Sequence, residues 1–234
     1  MIELIVLFIL ALIALLARYV VYGEFELLSL AVVCLMPLTA LVIFIISKKF
    51  ANKERAYQPD DLTEWSFYQL QKSLMIEKPL FKGNEQRGSV KRYFPEKWKY
   101  ILADIFGTDS YLSLKIKVDE DLYDVRWQRG KLFPQQDRWK VYKNGEPIGK
   151  AETLITLKNS TKLKEVIKFE FPDTSFTTSA ITVNSAISLT CDGAQMGTLK
   201  RKHLISGMQV FDVQEDRPEY IIALIVHSYY FKNK

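Results

Sequence analysis

The spacing of apolar and polar positions divides the chain into two regimes. Up to Ile46 there is no alternation. "LIVLFILALIALLA" (Leu4–Ala17) continues through Arg18 and "YVVY" to Tyr22, and "LLSLAVVCLMPLTALVIFII" (Leu27–Ile46) holds twenty residues without a charge. A bilayer core is crossed by about 20 helical residues. Each run therefore predicts a membrane-spanning helix, and residues 1–47 predict a two-helix hairpin. Arg18 lies where a long side chain reaches back to the headgroups, and Pro37 is tolerated inside such a helix. A cleaved signal peptide fits less well: the start has no positive charge, and no small-residue cleavage site precedes polar sequence.

Lys48, Lys49, Lys53 and Arg55 follow the second run, whereas "GEFE" lies between the two. Positive flanks stay inside. The expectation is a multi-pass protein of the cell membrane with both termini and the soluble part in the cytoplasm. Residues 48–64 read as a basic juxtamembrane linker and 65–234 as the soluble domain.

From Ser66 the period is mostly two. "SLKIKV" aligns Leu114, Ile116 and Val118, and after "DED" the stretch "LYDVRWQ" aligns Tyr123, Val125 and Trp127, a hairpin by pattern. "VIKFEF" and "AISLTC" add further strands, about a dozen in all. One helix interrupts them. "PEKWKYILADIFG" (Pro95–Gly107) puts Trp98, Ile101, Leu102, Ile105 and Phe106 at helical spacing. Such a stripe is expected to dock on the barrel. The alternative is an interfacial helix, with Lys97 and Lys99 flanking Trp98.

A repeat is present. "VYKNGEPIGKA" (Val141–Ala151) matches "LTCDGAQMGTL" (Leu189–Leu199), and "KGNEQRGSVKR" (Lys82–Arg92) is a weaker third copy. Asn144-Gly145 and Asp192-Gly193 predict type I′ hairpin turns. The second glycines, Gly149 and Gly197, predict a bulge or a close approach of another element. Three ordinary hairpins are the simpler alternative.

The chain closes on "PEYIIALIVHSYYFKNK", apolar almost throughout from Glu219 to Phe231. Thirteen residues make a helix of about 20 Å, too short for a bilayer core. A short helix that is apolar on all sides belongs at the centre of a domain. A barrel of about twelve strands needs such a filler, since barrels much larger than eight strands do not fill themselves. Asp216 is expected to cap this helix, with Pro218 in its first turn. The fold class is β-rich (α+β): a closed antiparallel barrel of about twelve strands around a buried C-terminal hydrophobic helix, preceded by two transmembrane helices.

"RWKVYKNGEPIGKAE", "ISLTCDGAQMGTLKRK", "FDV" (Phe211–Val213) and "RPEYIIALIVHSYY" resemble the strand–turn–Gly hairpins and closing helix of the tubby C-terminal-like and LURP-one-related family, in a bacterial membrane-anchored form. The resemblance spans about Trp65 to the C-terminus and rests on a pattern rather than a signature. It implies a barrel around a central helix and an anionic lipid as ligand. The acidic calcium-binding run of the related scramblases is missing, so scrambling is not implied.

The net charge is +5, and residues 1–47 contribute −2 of it, so the rest of the chain carries +7. A basic domain meets something acidic. "SVKRYF" and "LKRKHL" place Lys91, Arg92, Lys200, Arg201 and Lys202 after equivalent "G-S/T-V/L" steps. With Val90 and Leu199 inward, the lysines face out while Arg92 and Arg201 approach the rim. These five are the candidate lipid- or anion-binding residues. A plain solvated face is the alternative.

No P-loop or nucleophile elbow occurs, Asp119–Asp121 reads as a turn, and His227 as a core residue. No catalytic residue, metal ligand or cofactor is assigned. Two cysteines, Cys34 and Cys191, in unlike contexts predict no disulfide. The expected partners are the membrane, an anionic phospholipid or another membrane protein, and not nucleic acid. The expected function is non-enzymatic: binding in envelope sensing, lipid handling or protection. An interaction scaffold working through its spans, or an enzyme whose carboxylates converge only in the fold, are the alternatives.

Overall fold

A computed structural model of the chain describes residues 2–24, 26–72, 75–96, 98–101, 112–128, 136–154, 164–181, 186–202 and 207–231. Two helices come first, α1 (Ile2–Tyr22) and α2 (Leu27–Arg55). Both are long and apolar enough to cross a membrane, with mean hydropathy of 2.8 and 2.7 over their apolar 18-residue stretches. They pack on one another and leave large apolar side chains such as Leu10, Val20, Leu35 and Ile45 exposed.

Twelve antiparallel strands follow. They are β1 (Trp65–Tyr68), β2 (Glu77–Lys82), β3 (Glu85–Tyr93), β4 (Ser113–Val118), β5 (Asp121–Gln128) and β6 (Arg138–Lys143), then β7 (Glu146–Thr153), β8 (Lys164–Phe171), β9 (Thr174–Ile181), β10 (Ile187–Cys191), β11 (Ala194–Arg201) and β12 (Met208–Val213). Each pairs with its neighbours in sequence, and β1 pairs with β12, closing the barrel. The alternation expected from the sequence is seen: Leu114, Ile116, Tyr123, Val125, Ile167, Phe169, Leu189 and Leu199 all point into one core. An up-and-down barrel has two unlike ends. Two-residue turns close five hairpins at one end, which we call the turn end. The six longer connections join strands at the other, the open end.

The repeat is real in three dimensions. Asn144 and Gly145 take φ of 50° and 93°, and Asp192 and Gly193 take 49° and 83°, as type I′ turns require. In each copy the register slips by one residue beside the second glycine, leaving Arg87, Ile148 and Met196 as the extra residues. A Cβ on Gly88 would lie 2.1 Å from the Lys117 carbonyl oxygen, and one on Gly149 would lie 2.7 Å from that of Glu170. Bulge and close approach therefore occur together. The three hairpins, β2–β3, β6–β7 and β10–β11, recur every four strands, so like hairpins stand one third of the way around the wall from one another.

The closing helix, α3 (Pro218–Tyr230), runs through this barrel. Tyr220 to Tyr229 are all buried, as an all-round apolar helix demands. Asp216 does not cap it. The N-cap is Arg217, with no side-chain cap bond, and Pro218 stands in the first turn as expected. Asp216 instead accepts a hydrogen bond from the Trp65 indole at 2.6 Å and pairs with Lys82, so strands β1 and β2 hold its carboxylate. Proline at the start removes one donor that a cap would otherwise serve.

Part of the expected linker 48–64 is ordered against the barrel. α2 continues to Arg55, and Ala51, Glu54 and Tyr57 are buried against the barrel. Of the helix predicted over 95–107, Trp98–Ile101 are helical. Trp98 and Ile101 are 47% and 43% exposed, so about half of each of these two side chains faces away from the barrel. Lys99 and Tyr100 make the inward contacts instead, at Trp127 and Phe94. Leu102, Ile105, Phe106 and Gly107 lie outside the described residues.

Candidate functional site

α2 reaches the barrel at its open end. Glu54 is fully buried and accepts from the backbone N–H of Leu70 and Gln71 at 2.5 and 2.8 Å. Its carboxylate lies 3.1 Å from the ammonium of Lys78, which is equally buried. Lys78 belongs to the inward face of β2, in register with Val90, which the period of two along "EKPLFK" dictates. Its Nζ also donates to the Gln71 carbonyl at 2.8 Å and sits 5.2 Å from the centre of the Tyr229 ring. Lys72 donates to the carbonyl of Phe231 at the end of α3. Cations near a helix C-terminus are favoured by its dipole.

Beyond Glu54 the chain descends the outer wall. Tyr57 stacks on Tyr68 at 5.4 Å, meets the edge of Phe81 at 5.7 Å and is 3.1 Å from the Ser66 hydroxyl. Burial pushes the Tyr57 phenol above its ordinary pKa. Lys53 lies over the Tyr68 ring at 5.6 Å. The end of α2 is thus fixed to β1 and β2 by charge, hydrogen bonds and stacked rings.

Four of the five candidate basic residues flank this junction on the outer wall. Lys91 is exposed on β3, and Lys200 and Lys202 are exposed at the end of β11, while Arg201 is half-buried. Leu199 points inward, as expected. β2, β1 and β12 separate β3 from β11, about 19 Å along the wall at 4.8 Å per strand. Arg92 is not on the surface. The alternation of β3 carries it inside, 1% exposed, where it lies 4.9 Å from the Phe94 ring and donates to the Lys72 carbonyl at 3.3 Å. The interior near the open end is polar enough to hold it, because the Gln71 and Lys72 carbonyls there receive Lys78 and Arg92.

The sequence reading did not include Arg55 in this set. It lines an open groove with Met75, Ile76, Glu77, Pro79 and Lys91 between the end of α2 and the outer face of β2–β3. Its only sequence signal was the "KKFANKER" run, which was read for orientation alone. Among the described residues, Lys48, Lys49, Arg55, Lys91, Lys200, Arg201 and Lys202 make no ion pair. At the turn end, by contrast, Arg87 pairs with Asp119 at 2.6 Å and Lys143 with Asp121 at 2.8 Å. Cations without an ion pair among the described residues thus stand around the end of α2, as Lys115, Lys117, Lys140 and Lys164 do elsewhere on the wall.

His227 lies inside the barrel, with Nδ1 2.7 Å from the Thr178 hydroxyl. Burial, aided by the charge of Lys72, lowers its pKa to about 3, so it stays neutral at physiological pH. No group of three or more His, Cys, Asp or Glu side chains is placed to hold a metal ion among the described residues. In comparisons with known proteins, no family model, no curated protein and no solved structure matches the chain.

Proposed function

We propose that this chain is a membrane-anchored, non-enzymatic tubby-like module that spans the membrane twice and holds its barrel in the cytoplasm, where the open end binds anionic phospholipid. The observation that carries the reading is the junction: α2 is built into the barrel, and Arg55, Lys91, Lys200 and Arg201, which make no ion pair among the described residues, lie beside the place where it enters. The last residue of α2, Arg55, lies nine positions beyond Ile46. That is about 13 Å of helix, against a headgroup layer of about 5–7 Å on each side of the hydrocarbon. The open end thus lies within about one Debye length, 8 Å, of the headgroups. Each base near an anionic surface contributes about 1 kcal/mol.

The test is co-sedimentation of residues 48–234 with liposomes containing phosphatidylglycerol, at low and moderate salt. Changing Lys91, Lys200 and Lys202 to Gln should weaken binding by about 3 kcal/mol, on the order of a hundredfold. Binding should also fall as salt rises. Equal binding by both proteins, or none by the parent, would turn the proposal towards a protein partner.

A further inference from the structure

Outside α1 and α2, five large apolar side chains are more than 40% exposed among the described residues: Met75, Trp98, Ile101, Leu122 and Ile181. Four of them stand at the open end. Met75 lies between β1 and β2, Trp98 and Ile101 between β3 and β4, and Ile181 ends β9. Only Leu122 stands at the turn end. Among the described residues, apolar exposure beyond α1 and α2 is therefore concentrated at the end where α2 enters.

The helical turn at Trp98–Ile101 has a clear polarity. On one side, Tyr100 meets the Phe94 ring at 5.8 Å, and Lys99 lies 6.0 Å from the Trp127 ring while pairing with Glu96 at 3.0 Å. These contacts hold the turn against the barrel mouth. Trp98 and Ile101 are left on the exposed side, with the Lys99 ammonium 5.6 Å from the Trp98 ring. A tryptophan beside a lysine, next to an aliphatic residue, is the combination that settles at a membrane–water interface.

We infer that the barrel seats end-on against the bilayer crossed by α2, with Trp98, Ile101 and Met75 entering its headgroup region. This inference rests on the proposal that α1 and α2 span that membrane. It adds a second, apolar contact to the electrostatic one. The stalk of α2 leaves the strand ends a few ångströms short of the headgroups, and Trp98 lies five residues past the end of β3. The buried junction at Glu54 and Tyr57 keeps the barrel from swinging away. The occupant of the apolar surface is then the lipid headgroup layer.

The test uses the full chain in lipid nanodiscs carrying a nitroxide label on the phosphatidylcholine headgroup, with tryptophan fluorescence as the readout. Trp65 and Trp139 are buried and Trp127 is half-buried, so the exposed Trp98 should supply most of the quenchable signal. Quenching in the wild type and its loss in W98F is the expected result. Moving the probe to the opposite end, as W98F combined with L122W, should give no quenching. Equal quenching in wild type and W98F, or quenching from position 122, would overturn end-on seating. The result should be the same in purely zwitterionic discs, because the tether rather than lipid charge positions Trp98. A chain that washes out of the discs would overturn the membrane-spanning reading itself. A chain that stays inserted without quenching of Trp98 would overturn only this inference.

Discussion

Glu54, at the end of α2, and Lys78, inside the barrel, form an ion pair at 3.1 Å from which solvent is fully excluded. Taking two charges out of water is costly, and the pair persists because both members are also hydrogen-bonded to the Leu70–Gln71 backbone. Removing one partner leaves the other charge buried alone, a loss of about 3–5 kcal/mol. E54Q and K78M should each lower the melting temperature sharply. The double variant E54Q/K78M should recover part of the loss, because no unpaired charge remains. Thermal melts of the four proteins decide it. Additive losses would show that the two residues act independently.

The turn glycines and the bulge glycines of the repeat are constrained in different ways. Gly88 has a carbonyl oxygen 2.1 Å from where a Cβ would stand, whereas Gly145 has nothing within 4 Å but takes φ of 93°. An alanine at Gly145 pays only for its backbone conformation, about 1–2 kcal/mol. An alanine at Gly88 must push β3 away from β4, so it should cost more, on the order of 3 kcal/mol as for other overpacked sites. Denaturant unfolding of G88A and G145A should rank them in that order. A smaller loss in G88A would show that the wall yields easily.

Most of the fold was legible because it rests on short-range periodicity. Two long apolar runs, alternation in the strands, turn dipeptides and an all-apolar C-terminus fix helices, hairpins and the plug. The residues that escaped are those whose role depends on a partner far along the chain. Asp216 looked like a helix cap, but Trp65 is a neighbour only once β1 closes the barrel. Glu54 looked like one charge in a basic stretch, since Lys78 meets it only across the junction. Arg92 looked available at the rim because a charged residue inside a barrel is rare, and only the fold shows the carbonyls that receive it. Trp98 belonged to an apolar stripe whose direction the sequence left open.

His227 makes stability depend on pH in a defined window. Its folded pKa is near 3, and an unfolded histidine titrates near 6.5. Between those values the unfolded chain binds a proton that the folded chain refuses. Stability from this residue is therefore complete above about pH 6.5 and is lost as pH falls, by about 1.4 kcal/mol per pH unit. A His227→Gln variant keeps a polar group facing Thr178 and removes the titration. Plotted against pH from 7 to 4.5, the unfolding free energy of the wild type should fall more steeply than that of the variant. Parallel curves would mean that the imidazole protonates freely in the folded barrel.

The barrel closes around α3. Its apolar side chains, from Ile221 through Tyr229, are buried among the inward residues of the wall. Burying each large side chain is worth about 1.5–3 kcal/mol. Five of them rival the net stability of a whole domain, about 5–15 kcal/mol. The helix also supplies the carbonyl that receives Lys72 and the ring beneath Lys78. Without it, the open end would keep buried cations with fewer partners. The wall could not close on the space, because twelve strands set a diameter that its own side chains do not fill. A chain ending at Glu215 should therefore fail to form the barrel, and this should hold even when residues 1–47 are also removed so that insolubility of α1 and α2 plays no part. Circular dichroism and a thermal melt of residues 48–215 against 48–234 provide the comparison. Cooperative melting of the shorter chain would show that the strands stand without their plug.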